Sequence, residues 1–314
     1  MKVLQQAGGA AAIRRRGTSD RNSERLTFHL MLLPGIIALA IFVFVPLLGS
    51  VMAFQNFSVS KGIFRSKWVG LMNFEFIFSL PDSQQVFVNT LVIAFGKMVF
   101  NIIVPVLFAI LLNEVRQKRL KKTLQTVVYL PHFLSWVVLA TVVTNMFSLD
   151  GPINAAVKAF GGEGIQFLAS NQWFRSVIIS TDIWKEFGYN SVVYLAALTS
   201  VDATLYEAAS MDGAARFKQT LHVTLPCLMP TIVLMTALNL GNILNAGFDQ
   251  IFNLYNPIVY QTGDIIDTYV YRIGMVERQY SIGTAVGLFK SVISFILILS
   301  ANWGAKKLTG SSIF

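Results

Sequence analysis

Charged and polar side chains interrupt three apolar stretches of this sequence at helical spacing. One stretch carries four of them: Asp182, Lys185, Glu186 and Tyr189. On a helix that turns about 100° per residue, all four fall within an arc of roughly 100°. Ionisable groups placed among apolar residues are costly and usually mark a functional site, here one suited to binding a polar solute. The alternative is that the three charges simply neutralise one another, as charges three or four residues apart do on a helix.

Two further polar stripes lie in other apolar stretches. Asn239, Asn242 and Asn245 span an arc of roughly 120°, and Lys97 and Asn101 lie four residues apart. We expect these stripes to face one water-filled passage together with the first. Asn side chains also join membrane helices by hydrogen bonds, which is our interpretation of Asn239. Lys97 has an alternative role too, in which it pairs with an acidic group or a backbone carbonyl.

The chain offers no set of residues for catalysis. It has no G-x-x-x-x-G-K-[S/T] phosphate-binding loop, so it is not expected to hydrolyse ATP. Its three histidines, His29, His132 and His222, are scattered, and we interpret them as packing or interfacial residues. The single cysteine, Cys227, excludes a disulfide within the chain and lacks metal-site spacing. The sequence therefore predicts no enzyme, no metal and no cofactor bound by this chain.

The elements that must position these stripes are membrane helices. Of the 314 residues, 54% are hydrophobic and 13% charged, about half the charged share of a soluble protein. Apolar runs of about 20 residues fit the bilayer core, which predicts an all-α membrane protein. We expect a basic tail (1–29), a transmembrane domain (30–308) and a short tail (309–314). Six spans are predicted within the domain: residues 30–54, 87–112, 124–147, 174–198, 228–248 and 282–301.

The distribution of Lys and Arg residues predicts how the spans are oriented across the membrane. Both tails, residues 113–123 and residues 201–226 together carry 15 of them, whereas the loops on the other side carry 6. Basic residues accumulate on the cytoplasmic side of membrane proteins. Both termini and residues 201–226 are therefore predicted to be cytoplasmic.

A polar stretch between the fourth and fifth spans has a pattern of its own, EAASMDGAARFKQTLHVTLP, from Glu207 to Pro226. Glu207–Met211 suits a helix, and Asp212-Gly213 predicts a turn because glycine reaches positive φ at no steric cost. Ala214–Val223 predicts a second helix that ends at Leu225-Pro226. We call residues 201–226 the elbow, and we expect it to dock into a groove on a soluble partner.

The elbow resembles the EAA loop of permease subunits of ABC-type importers, with Val223 in place of the usual Ile. The resemblance implies that the elbow inserts into a separate ATPase subunit. It assigns coupling to seven residues: Glu207, Ala208, Ala209, Met211, Asp212, Gly213 and Phe217. Glu207 would fix the local geometry and Gly213 the bend. For Met211 and Phe217 the alternative is packing against the spans of this same chain.

The similarity extends over about Leu30 to Leu308. Strings such as NEVRQKRLKKTLQTVVYLPHFLSWVV, DIWKEFGYNSVVYLAAL and NLGNILNAGFDQI are similar to LplB-type permeases, subunits of importers for complex oligosaccharides. The sequence is most similar to the first permease of bacterial alginate importers. The resemblance implies a type I ABC importer permease in the bacterial inner membrane. It also implies an acidic, alginate-derived oligosaccharide cargo, with pectin-derived or neutral oligosaccharides as the alternative.

The related maltose permease implies which residues touch the sugar. Aligned through Trp184 and the elbow, its sugar-contacting positions match the following: Asp182, Lys185, Glu186, Tyr189, Asn242 and Asn245. The residue type is kept at Tyr189, Asn242 and Asn245. Lys185 would offer a cation to a uronate carboxylate, and Tyr189 an aromatic face to a sugar ring. The acids Asp182 and Glu186 argue against a uniformly cationic wall.

The partners follow from the same resemblance. They are a second permease, two copies of an ATP-binding subunit that holds ATP and Mg²⁺, and an extracytoplasmic solute-binding protein. A rival class is a secondary transporter that needs no ATPase. That class predicts repeat symmetry and broken helices with ion ligands at the midplane, and it leaves the elbow unexplained.

Overall fold

Helices make up nearly all of the regular structure in the part of the chain that this computed structural model describes, residues 18–241 and 243–309. In chain order they are α1 (Thr18–Leu39), α2 (Val45–Leu48), α3 (Gly62–Arg65), α4 (Met72–Ser79), α5 (Pro81–Glu114), α6 (Lys118–Tyr129), α7 (Trp136–Phe147), α8 (Pro152–Ala159), α9 (Phe174–Thr199), α10 (Ala203–Met211), α11 (Arg216–Gln219), α12 (Leu225–Gly241), α13 (Phe248–Leu254), α14 (Tyr260–Gly263), α15 (Ile266–Tyr271) and α16 (Tyr280–Thr309). Strands β1 (Gln55–Asn56) and β2 (Lys67–Trp68) pair antiparallel, with Gln55 opposite Trp68.

The chain divides into two compact units at Val51. In the first unit, the described residues 18–51 form α1, a π-helical turn at Ala40–Phe44 and α2. Side chains 27–48 are all exposed and almost all apolar. A surface of this kind suits lipid, because apolar side chains gain nothing by leaving a hydrocarbon environment.

The core of the second unit is built on α5 and α9, which pack along each other, while α12 packs on α16. Phe174, Val177 and Ile178 of α9 are buried in one core cluster, and Tyr194 in another. Gly188 lets α9 approach the end of α6, since a Cβ there would lie 2.4 Å from the carbonyl oxygen of Val128. This close packing fixes the polar faces of α5 and α9 relative to each other.

Two predicted spans are interrupted. Residues 124–147 were expected to form one helix, but a 3₁₀ turn at Leu130–Phe133 and an extended Leu134-Ser135 separate α6 from α7. Pro131 accounts for the break because it lacks an N–H and clashes with a continuing helix. In the predicted span 228–248, α12 ends at Gly241 and α13 begins at Phe248. The prediction of continuous helices was wrong at both places.

The expectation that Leu225-Pro226 ends a helix was also wrong. Helix α12 begins at Leu225 and runs on to Gly241, directly after a π-helical turn at Thr220–Thr224. The N–H of Leu225 donates to the carbonyl of Thr220, five residues back. The wider turn makes room for the proline ring, which would clash with a carbonyl in a regular α-helix. The same arrangement occurs in the first unit, where Val45 donates to Ala40 just before Pro46.

By length and composition, five helical segments of the described chain are apolar enough to cross a membrane: Thr27–Phe54, Asp82–Glu114, Trp136–Ala159, Arg216–Gly241 and Tyr280–Ser300. Helix α9 has 26 residues, about 39 Å at 1.5 Å per residue. Its length is sufficient, but it carries four charged residues, Arg175, Asp182, Lys185 and Glu186. The charges that mark the predicted site are thus what keep α9 out of this set.

Candidate functional site

A cavity of about 370 Å³ lies where α5, α9 and α12 meet the chain segment 243–247. Its lining is rich in side-chain amides and charges: Ala94, Lys97, Met98, Asn101, Asp182, Glu186, Asn190, Asn239, Ile243, Asn245 and Gly247. Each of the three polar stripes expected from the sequence contributes to this lining. The described chain therefore has one polar space to which α5, α9 and α12 all contribute.

Lys97 occupies the centre of a buried network beside the cavity. Its Nζ lies 3.0 Å from Asp182 Oδ1, donates to the carbonyl of Ala246 at 2.8 Å and donates to Gln250 Oε1. Asn101 donates to the other oxygen of Asp182 at 2.9 Å. Lys97 thus pairs with both an acid and a carbonyl, as its alternative role required, and it also lines the cavity.

The backbone of the segment after α12 leaves room for the amine of Lys97. Gly247 has φ +94°, and a Cβ there would lie 2.7 Å from Lys97 Nζ. The neighbouring Gln250 is fully buried and donates to the carbonyl of Ile178 and to Thr181 Oγ1, both at 2.8 Å. A glycine is required here because only glycine adopts this backbone conformation freely and leaves room for the amine.

Lys185 does not line the cavity. It is buried and donates to Glu186 Oε1 and to the carbonyl of His132, both at 2.9 Å. The Nδ1 atom of His132 lies 2.7 Å from the other Glu186 oxygen. The alternative of neutralisation within α9 therefore holds for Lys185 and Glu186, although these two are adjacent and not three or four residues apart. Asp182 pairs with Lys97 of α5 instead.

Tyr189 also lies outside the cavity lining. Its ring stacks on His132, with centroids 3.9 Å apart and planes 2° from parallel, and 46% of the residue is exposed. His132 was interpreted from the sequence as a packing residue, and it packs here against Tyr189. The break between α6 and α7 places it there.

Asn245 and Asn239 both line the cavity, while Asn242 lies outside the described residues. Sequence reasoning missed Asn190, although a signal existed. Asp182, Glu186 and Asn190 recur every four residues and so share one face of α9. Gly247 and Gln250 carried no comparable signal, because their role depends on where the chain turns after α12.

The elbow forms two helical arms joined at a glycine. Asp202 caps α10 by accepting a hydrogen bond from the backbone N–H of Thr204 at 2.9 Å, and this bond lowers the pKa of its carboxyl. Gly213 has φ +76°, as expected for the turn, and the second arm starts at Arg216. The first arm is longer than the predicted Glu207–Met211, because its cap lies upstream of the motif.

The two arms are tied together by side chains. Tyr206 Oη lies 3.0 Å from Thr224 Oγ1, and Gln219 Nε2 donates to Ser210 Oγ at 3.0 Å and to the Ala214 carbonyl at 2.9 Å. These bonds link α10 to the helix that continues into α12. The two arms are therefore joined by side-chain hydrogen bonds as well as by the backbone.

The tip of the elbow is apolar and exposed. Met211 is 88% exposed and Phe217 79%, so the structure rules out packing of these two side chains against helices of this chain. Glu207, Ala208, Asp212 and Gly213 are exposed as well, and Ala209 is half-buried. Two large apolar side chains at the tip of a turn mark a surface that a partner can cover.

Comparison with known proteins identifies the chain. The model of the family described as "Binding-protein-dependent transport system inner membrane component" matches residues 105–310. Protein LplB of Bacillus subtilis is 42% identical over 287 residues, covering 91% of this chain and 90% of that protein. The polygalacturonan/rhamnogalacturonan transport system permease protein YteP of the same organism is also 42% identical, covering 91% and 89%.

Solved structures of ABC transporters have the same fold as this chain. A chain of a bacterial ABC transporter involved in the import of the acidic polysaccharide alginate superimposes with a TM-score of 0.85 and 37% identity. The match covers 93% of this chain and 99% of that one. A second structure, of the bacterial alginate ABC transporter in complex with an alginate pentasaccharide-bound periplasmic protein, matches with TM-score 0.85 and 36% identity.

These findings confirm the type I permease fold and the inner-membrane location, and they exclude the secondary-transporter class. They also confirm that this subunit is not an enzyme and that it works with a second permease, a separate ATPase and a binding protein. The chain therefore belongs to the binding-protein-dependent transport system inner membrane component family, as a permease subunit of a sugar ABC importer.

Proposed function

We propose that this permease subunit carries acidic oligosaccharides, most specifically alginate-derived ones, from a periplasmic binding protein to the cytoplasm. The observation that carries the proposal is the match along nearly the whole chain to a subunit of the alginate importer, at 37% identity and TM-score 0.85. A permease named for polygalacturonan, which is likewise acidic, is also among the relatives. Two acidic cargoes among such similar proteins support a uronate as the substrate class.

The cavity supports this cargo chemically. Asn101, Asn190, Asn239 and Asn245 offer amide donors and acceptors to sugar hydroxyls, and Lys97 offers a cation to a carboxylate. We assign the substrate passage to the cavity-lining residues, Asn242, and the flanking pair Lys185 and Tyr189. The passage is expected to bind weakly, since a tight site would retain its cargo.

Uptake competition tests the cargo. Cells that depend on this importer would take up a labelled alginate oligosaccharide while unlabelled alginate, polygalacturonate or maltodextrin fragments compete. We expect alginate fragments to compete best and maltodextrin not to compete. Equal competition by the neutral maltodextrin would overturn the acidic-cargo proposal.

A pectin-derived cargo is the second candidate. It is favoured by the 42% identity to the polygalacturonan/rhamnogalacturonan permease, which exceeds the 37% identity to the alginate importer chain. The same competition experiment decides between them. Stronger competition by polygalacturonate than by alginate fragments would establish this candidate.

We further propose six spans with both termini in the cytoplasm. Helix α9 is the sixth span, added to the five apolar ones, since it is long enough and three of its four charges are neutralised by close partners. The fourth, Arg175, lies in the first turn and donates to the carbonyl of Thr262 and to Asn89 Oδ1. Asp182 pairs with Lys97, and Glu186 pairs with Lys185. Paired charges that face a bundle interior are how membrane helices carry ionisable residues. The excess of Lys and Arg beside the elbow and in the tails supports the direction.

Single-cysteine labelling tests this topology. In a Cys227→Ser background, a cysteine replacing Asp212 would react with a membrane-impermeant maleimide only from the cytoplasmic side. A cysteine replacing Phe160, which is 92% exposed, would react only from the periplasmic side. Labelling of the Asp212 position in intact spheroplasts would overturn the proposed direction.

The elbow is proposed to couple this chain to its ATPase. ATP and Mg²⁺ bind to that partner, and closure of its two copies moves the elbow. The docking surface consists of seven residues, with Gly213 supplying the bend: Glu207, Ala208, Ala209, Met211, Asp212, Gly213 and Phe217. Because the elbow arms continue towards α9 and into α12, the movement reaches two walls of the cavity. The passage then opens to alternate sides of the membrane.

A further inference from the structure

Each carboxylate that faces the cavity is paired with a lysine that is itself buried. Lys97 and Lys185 have side chains 8% and 9% exposed, whereas their acids, Asp182 and Glu186, are 16% and 25% exposed. The lysine is thus the more deeply buried member of each pair. A cavity arranged in this way presents no free positive charge to a cargo, although a cation lies next to it.

The two ion pairs differ in how readily another anion could replace the acid. Glu186 is shared between Lys185 and His132, and Lys185 is in addition bound to the carbonyl of His132. These three residues all bond to one another, and Lys185 does not line the cavity. Lys97 does line it, and its other two partners, the carbonyl of Ala246 and the amide of Gln250, are neutral. Asp182 is therefore the single charged partner of Lys97 among the described residues, and the two neutral contacts of Lys97 do not involve it.

We propose that Asp182 acts as an internal stand-in for a sugar carboxylate, so that an acidic cargo binds Lys97 in competition with Asp182. This inference rests on the proposed acidic cargo and makes Lys97 the residue that selects for charge. An arriving carboxylate takes the place of the Asp182 oxygen on the Lys97 amine. Asp182 keeps its hydrogen bond from Asn101 and turns towards the cavity. No covalent bond forms or breaks in this exchange.

The competition explains how a buried cation can select a charged cargo and still release it. A lone buried lysine would be costly without a cargo and would hold an anion tightly with one. With Asp182 present, the lysine stays neutralised when the passage is empty. The departing sugar carboxylate is replaced at once by the aspartate. Selectivity for charge is thereby obtained with weak binding.

Equilibrium dialysis tests the exchange directly. The assembled transporter in nanodiscs, without its binding protein, would be dialysed against an alginate pentasaccharide and against the same sugar with its carboxyls reduced to alcohols. We expect Asp182→Asn to bind the acidic sugar about tenfold more tightly, because a competing like charge has been removed. Its affinity for the reduced sugar should change much less, so that the preference for the acidic sugar increases.

The double variant Lys97→Met with Asp182→Asn removes both charges and keeps similar side-chain volumes. We expect it to lose the preference for the acidic over the reduced sugar. The matched control is Lys290→Met with Asp267→Asn, which removes a second ion pair, 2.5 Å long, between α16 and α15. Neither of these residues lines the cavity, and the control should keep the wild-type preference.

Each result decides something. If wild-type and the Lys97 double variant prefer the acidic sugar equally, the exchange is wrong while the proposed cargo stands. If wild-type itself does not prefer the acidic sugar, the proposed cargo fails and the exchange fails with it. If Asp182→Asn changes the affinity for both sugars alike, Asp182 has only a structural role and the exchange is likewise overturned.

Discussion

The charged side chains around the cavity find their partners within this chain, whereas the apolar side chains at the tip of the elbow do not. Around the cavity, charges are buried and paired within this one chain, as for Lys97 with Asp182 and Lys185 with Glu186. At the elbow tip, Met211 and Phe217 are large, apolar and almost fully exposed. The charges of the cavity network are paired without another subunit, whereas the apolar tip of the elbow has no partner within this chain. Damage to the cavity should therefore reduce the stability of the chain itself, and damage to the elbow should reduce assembly or coupling.

The largest effect is expected from Lys97→Met, which leaves the half-buried Asp182 without its cation. Breaking a buried ion pair on one side costs about 3–5 kcal/mol. We expect a clear fall in the thermal unfolding temperature of the detergent-purified subunit. Adding Asp182→Asn should recover most of that loss, because no charge then stays unpaired. A single variant as stable as the double variant would contradict the view that the cavity network stabilises the chain.

The next effect concerns the bend of the elbow. Gly213→Pro cannot keep φ +76°, because the proline ring fixes φ near −65°. We expect oligosaccharide uptake to be abolished while the subunit still inserts into the membrane. The control is Gly213→Ala. A Cβ would meet nothing within 4 Å there, so only the left-handed conformation costs energy, about 1 kcal/mol. Comparable uptake by the proline and wild-type proteins would show that the bend does not couple.

A smaller loss is expected when the apolar tip is made polar. Met211→Asp and Phe217→Asp each remove an exposed anchor, and we expect about a tenfold weaker association with the ATPase, as for a typical interface anchor. Co-purification measured against ATPase concentration would check this. The unfolding temperature should not change, since neither side chain packs within the chain. Phe160→Asp is the control, because Phe160 is 92% exposed but lies in the loop expected on the opposite side.

These regions also differ in how far the sequence could predict them. The stripes on α5 and α9 were visible because a charge in an apolar helix is rare, and helical spacing then placed Asp182 with Glu186. The sequence did not show which lysine would pair with Asp182. Lys97 reaches Asp182 because α5 and α9 pack closely, and this packing depends on contacts between residues as far apart in the sequence as 97 and 182.

Breaks in the helices were harder to predict than the helices. The position of His132 follows from the break at Pro131, and the lysine network follows from the turn after Gly241. At Pro226 the local rule was overridden, since a π-helical turn accommodates the ring and the helix continues. The elbow turn was predictable because Gly213 is required by the backbone itself and does not depend on distant packing.

The smallest expected effect tests whether the two arms of the elbow move as one. Tyr206 and Thr224 share a hydrogen bond of 3.0 Å, which a double-mutant cycle of Tyr206→Phe and Thr224→Val isolates. We expect a coupling energy of about 1 kcal/mol in the unfolding free energy, typical of one hydrogen bond. If this bond also transmits movement, each single variant should lower the ratio of sugar transported to ATP hydrolysed, and the second substitution should add little. Additive losses in that ratio would show that the arms act independently, so that the force from the ATPase reaches α12 through the backbone of the elbow alone.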